Sequence, residues 1–191
     1  METEIRSIEM SEIRLEGDPT VPKIVGYAAI FNSMSHDLGG FREIVLPGAF
    51  AKSIKSGSDI RALLHHDTTQ VLGRTKSGTL AIAEDSKGLK IEITPPITRS
   101  AQEAIESIRR GDIDQMSFGF RVRAGGDEVK KENGQIMRYL KDVELREVSI
   151  VTFAAYEATI ANVRSIVDRV EVPIEQTLEI YRRRLRLLEL A

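Results

Sequence analysis

The chain has 191 residues, of which 41% are hydrophobic, so it suits one domain with a real core and a short appendage. A formal net charge of −2 gives no general attraction to nucleic acid or acidic membranes, and the lack of cysteine excludes disulfides, zinc–thiolate sites and a cysteine nucleophile. No signal-peptide core precedes the first strand, and no apolar run approaches the ~20 residues that span a bilayer. We therefore expect a soluble intracellular protein that binds neither nucleic acid nor membrane.

Strands dominate the elements predicted in chain order, and most of the connections between them are short. Alternating apolar residues predict a strand within the first fifteen residues. Further strands are predicted at 23–31, 59–66, 79–85, 88–94, 115–123 and over most of 137–153. A loop is expected at 32–40 and a polar turn region at 124–135.

Helices are predicted at 47–57 and at 100–111, the latter with Ser100 and Glu103 as a capping box. The fold class that this pattern favours is mainly β (α+β), a closed or partly open β-barrel with flanking helices. The predicted domain covers 1–167, and 168–191 forms a C-terminal amphipathic helix or tail. Its apolar stripe consists of Ile174, Leu178, Tyr181, Leu185 and Leu188.

Two of the three histidines, His65 and His66, stand side by side at a predicted strand end, and Asp67 follows directly. Three interpretations are open: a polar cap on the strand, a metal site, or a general base. Adjacent strand residues point to opposite faces, so the two imidazoles would not readily chelate one ion. The remaining histidine, His36, lies in a loop.

Ser117 lies on a strand that alternates strictly between large apolar and small or polar residues. Ser117 and Gly119 share the face opposite Met116 and Phe118, and the glycine leaves room for another chain to approach. Ser117 is either an ordinary strand serine or a nucleophile. As a nucleophile it needs a base within hydrogen-bond reach, and that base needs an orienting partner.

Glu147 is the third unusual residue. Strand parity groups it with Val143, Leu145, Ser149 and Val151, on a face where an unpaired charge is costly. Either the strand has a bulge, the carboxylate lies at an exposed edge, or it has a buried partner such as a protonated histidine. A serine, a histidine and a carboxylate can form an acyl-transfer triad in any chain order.

Several short segments of the chain are distinctive when taken together and in order: HHDTTQVLGRT, KGLKIEI, RRGDIDQMSFGFRV and LREVSIVTFAAYEATI, with GYAAIFNSMS and FREIVLPGAFAKSI in the N-terminal half. In this order they resemble the prohead proteases of tailed bacteriophages, which are capsid-maturation serine proteases similar in fold to the herpesvirus assemblins. The resemblance spans about residues 5–165. It implies a serine endopeptidase.

The resemblance also implies roles for residues. The family's catalytic histidine precedes an aspartate, which makes it His66 here, and the nucleophile is Ser117. Glu147 matches the position of the assemblins' second histidine and would be the third triad member. The assemblins hold the oxyanion with arginines after this strand, where this chain has Ala154 and Ala155. The candidates for that role in this chain are Arg121, Arg123 and Arg164, or backbone N–H groups alone.

The substrates that the resemblance implies are the scaffold segment of the major capsid protein precursor and the protease itself, cleaved inside the phage prohead in the host cytoplasm. It implies no metal and no organic cofactor. Because assemblins are active as dimers through helix packing, it favours a homodimer or related self-association through the tail. The rival interpretation is a non-catalytic capsid assembly or scaffold module on the same barrel.

Overall fold

The computed structural model describes residues 3–8, 13–153, 165–167, 169 and 182. They form twelve strands and two helices, which confirms the mainly β class. The strands are β1 (Glu4–Ile8), β2 (Arg14–Glu16), β3 (Lys23–Ile30), β4 (Phe41–Val45), β5 (Arg61–Leu64), β6 (Asp67–Arg74), β7 (Leu80–Glu84), β8 (Gly88–Ile93), β9 (Gln115–Val122), β10 (Asp127–Glu132), β11 (Gln135–Leu140) and β12 (Val143–Val151). The helices are α1 (Ala51–Lys55) and α2 (Arg99–Arg110).

The strands are arranged in three sheets, so of the expected closed or partly open barrel the closed form is not found among the described residues. One sheet has the order β1-β9-β12-β5-β6, a second β2-β3-β8-β7 and a third β10-β11-β4. Closure would require the edge strands to pair with each other. In the described part of the chain, β1 and β6 instead end the five-stranded sheet on opposite sides. Most of the predicted C-terminal helix lies outside the described residues, and none of the described helices is long and apolar enough to cross a membrane.

The main core lies between the four-stranded and the five-stranded sheets. Alternate residues of β3 and β8, such as Ile24 and Ile91, pack there with Phe118 of β9 and Val148 of β12. Phe118 also meets the ring of Phe50 edge-on, with ring centroids 5.4 Å apart. The period-two alternation of these strands follows from burying one face of each sheet. It leaves the other face of the five-stranded sheet for Ser117 and its neighbours.

Two local features differ from the sequence prediction. Helix α2 is capped by Thr98, whose side chain accepts the Ala101 N–H, so Ser100 and Glu103 do not form a capping box. The polar segment expected to be a turn region contains β10, which pairs with β11 as a hairpin. Its lysines and glutamates suit an edge strand, where charged side chains discourage pairing with other chains.

A buried network of charges fastens the N-terminal strand β1 to the third sheet. Arg138 contacts Glu4 at 2.6 Å, Glu43 at 3.0 Å and Asp127 at 2.8 Å, and Arg6 contacts Glu43 at 2.9 Å. Burial alone would raise the pKa of Glu4, but hydrogen bonds and charge from Arg138 and Arg6 hold it below its ordinary value. Because β1 pairs with β9, this network fixes the strand that lies beside Ser117.

Replacing Arg138 by methionine is expected to lower the free energy of unfolding by about 3–5 kcal/mol, because it leaves Glu4 and Glu43 buried with fewer cations. The matched control is Glu16→Gln, which breaks the exposed Arg14–Glu16 pair and costs less than about 1 kcal/mol. Urea denaturation measures both. Equal midpoints for the two variants would contradict the network's role.

The same network predicts an acid dependence of stability. The pKa of Glu4 is lowered in the folded state from its ordinary 4.5, so its contribution is present above that value. The contribution is then lost as pH falls through the folded pKa. Wild-type protein should lose unfolding free energy over this acid range more steeply than Arg138→Met.

Candidate active site

The histidine pair forms a turn and does not end a strand. β5 stops at Leu64, which pairs with Asp67, so His65 and His66 are the two residues of the hairpin loop between β5 and β6. Their φ angles are 53° and 60°, in the left-handed region. Two-residue hairpin loops favour positive φ because it matches the twist of the strands, and histidine enters this region more often than most residues. The parity argument for these side chains therefore does not apply.

Consecutive non-glycine residues in the left-handed region carry backbone strain of about 1–2 kcal/mol each. Strain of this kind concentrates at functional sites, where the surroundings hold it in place. In this turn the two histidine rings lie in different surroundings. His65 is exposed to solvent, whereas only 19% of the His66 side chain is accessible. His66 Nδ1 lies 2.9 Å from Oε1 of Glu147.

Glu147 reaches His66 because β12 has a bulge. The register of β12 against β9 shifts between Leu145 and Glu147, so Val143 and Leu145 point into the main core and Glu147 points to the opposite face. The expectation that all three share one face is therefore wrong. One extra residue in the strand reverses the parity that follows it. The bulge and a histidine partner, offered as alternatives from the sequence, are both present.

Gly119 provides the space that the carboxylate occupies. It lies opposite Glu147 in the β9–β12 register. A Cβ placed at Gly119 would come within 2.5 Å of Glu147 Oε1 and 3.1 Å of its Cγ. Only glycine therefore allows the carboxylate to lie flat against β9 while it contacts His66.

Gly119→Ala is expected to reduce the catalytic activity of this site by about 10²-fold or more, because the methyl group displaces Glu147 Oε1 from His66 by an ångström-scale shift. The strand should persist, since alanine fits extended backbone. Activity and thermal unfolding are measured on the same preparation. A folded variant with wild-type turnover would show that the carboxylate's position does not matter.

Ser117 lies on the same face as Glu147, two residues from Gly119 on β9. It is fully buried rather than outward-facing to solvent, and its Oγ donates to the backbone carbonyl of Arg6 on β1 at 2.8 Å. Across the sheet it stands directly opposite Ser149 of β12. The sheet thus brings Ser117, Glu147 and His66 to one surface, although the described structure has no hydrogen bond between Ser117 and His66.

Nε2 of His66, the ring nitrogen that does not contact Glu147, is the basic atom of this site. A carboxylate can only accept, so Nδ1 of the neutral imidazole carries the proton donated to Glu147, and Nε2 keeps its lone pair. Nε2 is buried and has no hydrogen-bond partner among the described residues. A buried nitrogen without a partner is costly, and such groups call for a functional explanation. The arrangement can accept a proton from a hydroxyl brought to Nε2.

Ser149 is a site residue that the sequence interpretation did not single out. It is fully buried, and its Oγ donates to Oε2 of Glu147 at 2.5 Å. The available signal was its spacing: Ser149 follows Glu147 by two residues, and strand residues two apart share a face.

The other sequence candidates point elsewhere. Asp67 accepts the side-chain hydroxyl and the backbone N–H of Thr69, which hold its pKa below the ordinary value, and it does not bond His66. Arg121 donates to Thr3, and Arg123 pairs with Asp142. Arg164 lies outside the described residues. No group of three or more histidine, aspartate and glutamate side chains in the described part of the chain is arranged to hold a metal ion.

The sequence of the chain matches a known protein family. Residues 6–172 match the family model described as caudovirus prohead serine protease. Among solved structures, the chain is similar to the bacteriophage T4 capsid assembly protease, with a TM-score of 0.48, 11% identity, and coverage of 78% of this chain and 98% of that one. A search of curated proteins gives no match. Because the family model covers most of the sequence, the chain belongs to the caudovirus prohead serine protease family.

Proposed function

We propose that this serine peptidase cleaves with Ser117 as nucleophile, His66 as general base and Glu147 as the group that orients His66. The observation that supports this most directly is the His66–Glu147 contact of 2.9 Å on the sheet face that carries Ser117. It leaves Nε2 basic and without a partner in the described residues. A serine hydroxyl needs such a base, and the base needs such an orienting partner.

The proposed reaction follows from these atoms. Ser117 Oγ attacks the peptide carbonyl carbon while its proton passes to His66 Nε2, and Glu147 stabilises the imidazolium. The tetrahedral intermediate collapses, the C–N bond breaks, and Nε2 returns the proton to the departing amine. Water, deprotonated by the same nitrogen, then hydrolyses the acyl-enzyme and restores Ser117.

The described arrangement is a resting one. The Ser117 hydroxyl donates to the Arg6 carbonyl, so it must rotate about its Cα–Cβ bond to reach Nε2. The hydrogen bond that it gives up is a neutral one, worth about 0.5–1.5 kcal/mol, which is small beside the barrier that the site must lower. Catalytic hydrogen bonds in unliganded enzymes often form only when substrate binds.

The proposed substrates are the scaffold segment of the major capsid protein precursor and the chain itself, processed inside the prohead. Family membership supports a capsid-maturation role. A cleft of about 370 Å³ adjoins the histidine turn on its His65 side, between Gln70 and helix α2, and the proposed triad does not line it. Self-association through the tail at 168–191 is also proposed; of that tail only residues 169 and 182 are described.

The test uses a fluorophosphonate probe, which phosphonylates activated serines, on the full chain. The expected result is one adduct, located at Ser117 by peptide mass spectrometry, in native protein and none in heat-unfolded protein. Absence of labelling in a folded, assembled sample would refute the peptidase proposal and support the rival non-catalytic assembly module.

A further inference from the structure

We infer that Ser149 is a positioning residue of the peptidase site, which acts on His66 by fixing the carboxylate of Glu147. This inference rests on the proposed function. Ser149 Oγ donates to Oε2 at 2.5 Å, and Oε1 of the same carboxylate contacts His66 Nδ1 at 2.9 Å. The serine and the imidazole therefore hold Glu147 from two sides.

The carboxylate needs this second contact because a glutamate side chain has three rotatable bonds. Gly119 opens space beside it, and a side chain with space can take other rotamers. The Ser149 hydroxyl donates a hydrogen bond to Oε2 of Glu147, and the other oxygen, Oε1, then points at the imidazole of His66. A hydrogen bond to an ionised acceptor is stronger than a neutral one, so one buried hydroxyl suffices to select the orientation.

Burial supports a dedicated role for this hydroxyl. Ser149 has no accessible surface, so water cannot satisfy it, and a buried hydroxyl without a partner is costly. It lies between two strands, opposite Ser117 on β9 and opposite Leu63 on β5. In that position a hydroxyl reaches the carboxylate, whereas an apolar residue of similar size would only fill the space.

The geometry also separates the roles of the two serines. Ser149 contacts the carboxylate, which lies on the Nδ1 side of the His66 ring, and its hydroxyl donates a hydrogen bond to that carboxylate. The proton acceptor of the reaction is Nε2, on the other side of the ring. Ser117 is therefore assigned the attack, and Ser149 the orientation of the base.

The first experiment compares Ser149→Ala, Ser149→Thr and Ser149→Val by the second-order rate of fluorophosphonate labelling of the full chain. The alanine variant should label about tenfold to a hundredfold more slowly, as expected for loss of one charge-assisted hydrogen bond. Threonine and valine have the same shape and differ in the hydroxyl, so threonine should recover most of the rate and valine should not. Thermal unfolding is recorded for each variant.

Two results would overturn the inference while a serine-peptidase activity stands. The first is equal labelling rates for the threonine and valine variants, which would leave Ser149 a packing residue. The second is an adduct on Ser149 in place of Ser117, which would make Ser149 the nucleophile. No labelling of folded wild-type protein is a different outcome, because it refutes the peptidase function itself.

The second experiment tests whether Ser149 acts through Glu147. In a Glu147→Ala background there is no carboxylate to position, so adding Ser149→Ala should change the labelling rate by less than about twofold. A merely structural serine would lower the rate by the same factor in both backgrounds, and that additive result would contradict the positioning role.

Discussion

Ser117→Ala is expected to abolish cleavage of a co-expressed capsid precursor, with a loss of about 10⁶-fold in turnover, because the alanine variant has no nucleophile to activate. The fold should survive. The variant removes one buried hydroxyl and its hydrogen bond to the Arg6 carbonyl, which costs about 1 kcal/mol of unfolding free energy and leaves no large cavity.

The matched control is Ser53→Ala. Ser53 is also fully buried, and its hydroxyl bonds the backbone of Val143 and Leu145, so alanine should cost similar or greater stability. It lies on α1, outside the proposed triad, and its variant should still cleave the precursor. Trimming of the precursor by Ser117→Ala, or equal loss of trimming in both variants, would refute the assignment of the nucleophile.

Strands with one buried face were predictable from the sequence. β8 and β9 place large apolar residues at every second position, since one face of each packs into the main core, and β3 was recognisable as a nearly continuous apolar run. β10 was missed because it is an edge strand, whose side chains are largely polar and exposed. β6 was missed for a similar reason: its first residues are exposed, and bulges interrupt its pairing with β5.

The site was only partly predictable. The histidine pair, Ser117 and Glu147 stood out from the residue pattern, whereas the choice of His66 and the triad roles came from a family resemblance; the catalytic roles stay predictions. The bulge at Glu147 was visible only as a conflict, a charge on an apparently apolar face, because a bulge reverses parity without leaving a composition signal. The histidine turn gave no signal, since neither glycine nor asparagine marks it. The Ser149–Glu147 contact depends on how one side chain bends, which no spacing rule specifies.

The two adjacent histidines allow the general base to be tested against a matched neighbour. His66→Ala is expected to lose as much activity as Ser117→Ala, and the double variant should be no worse, because triad members act as one unit. His65→Ala should keep activity within a few-fold, since its exposed ring does not contact Glu147. Both residues have positive φ, so the backbone cost of alanine is similar in the two variants. His66→Ala also removes the hydrogen bond to Glu147, so its stability is measured separately from its rate. The measurement is precursor trimming and fluorophosphonate labelling alongside thermal unfolding. An inactive His65→Ala with an active His66→Ala would place the base on the other side of the turn and remove Glu147 from the mechanism.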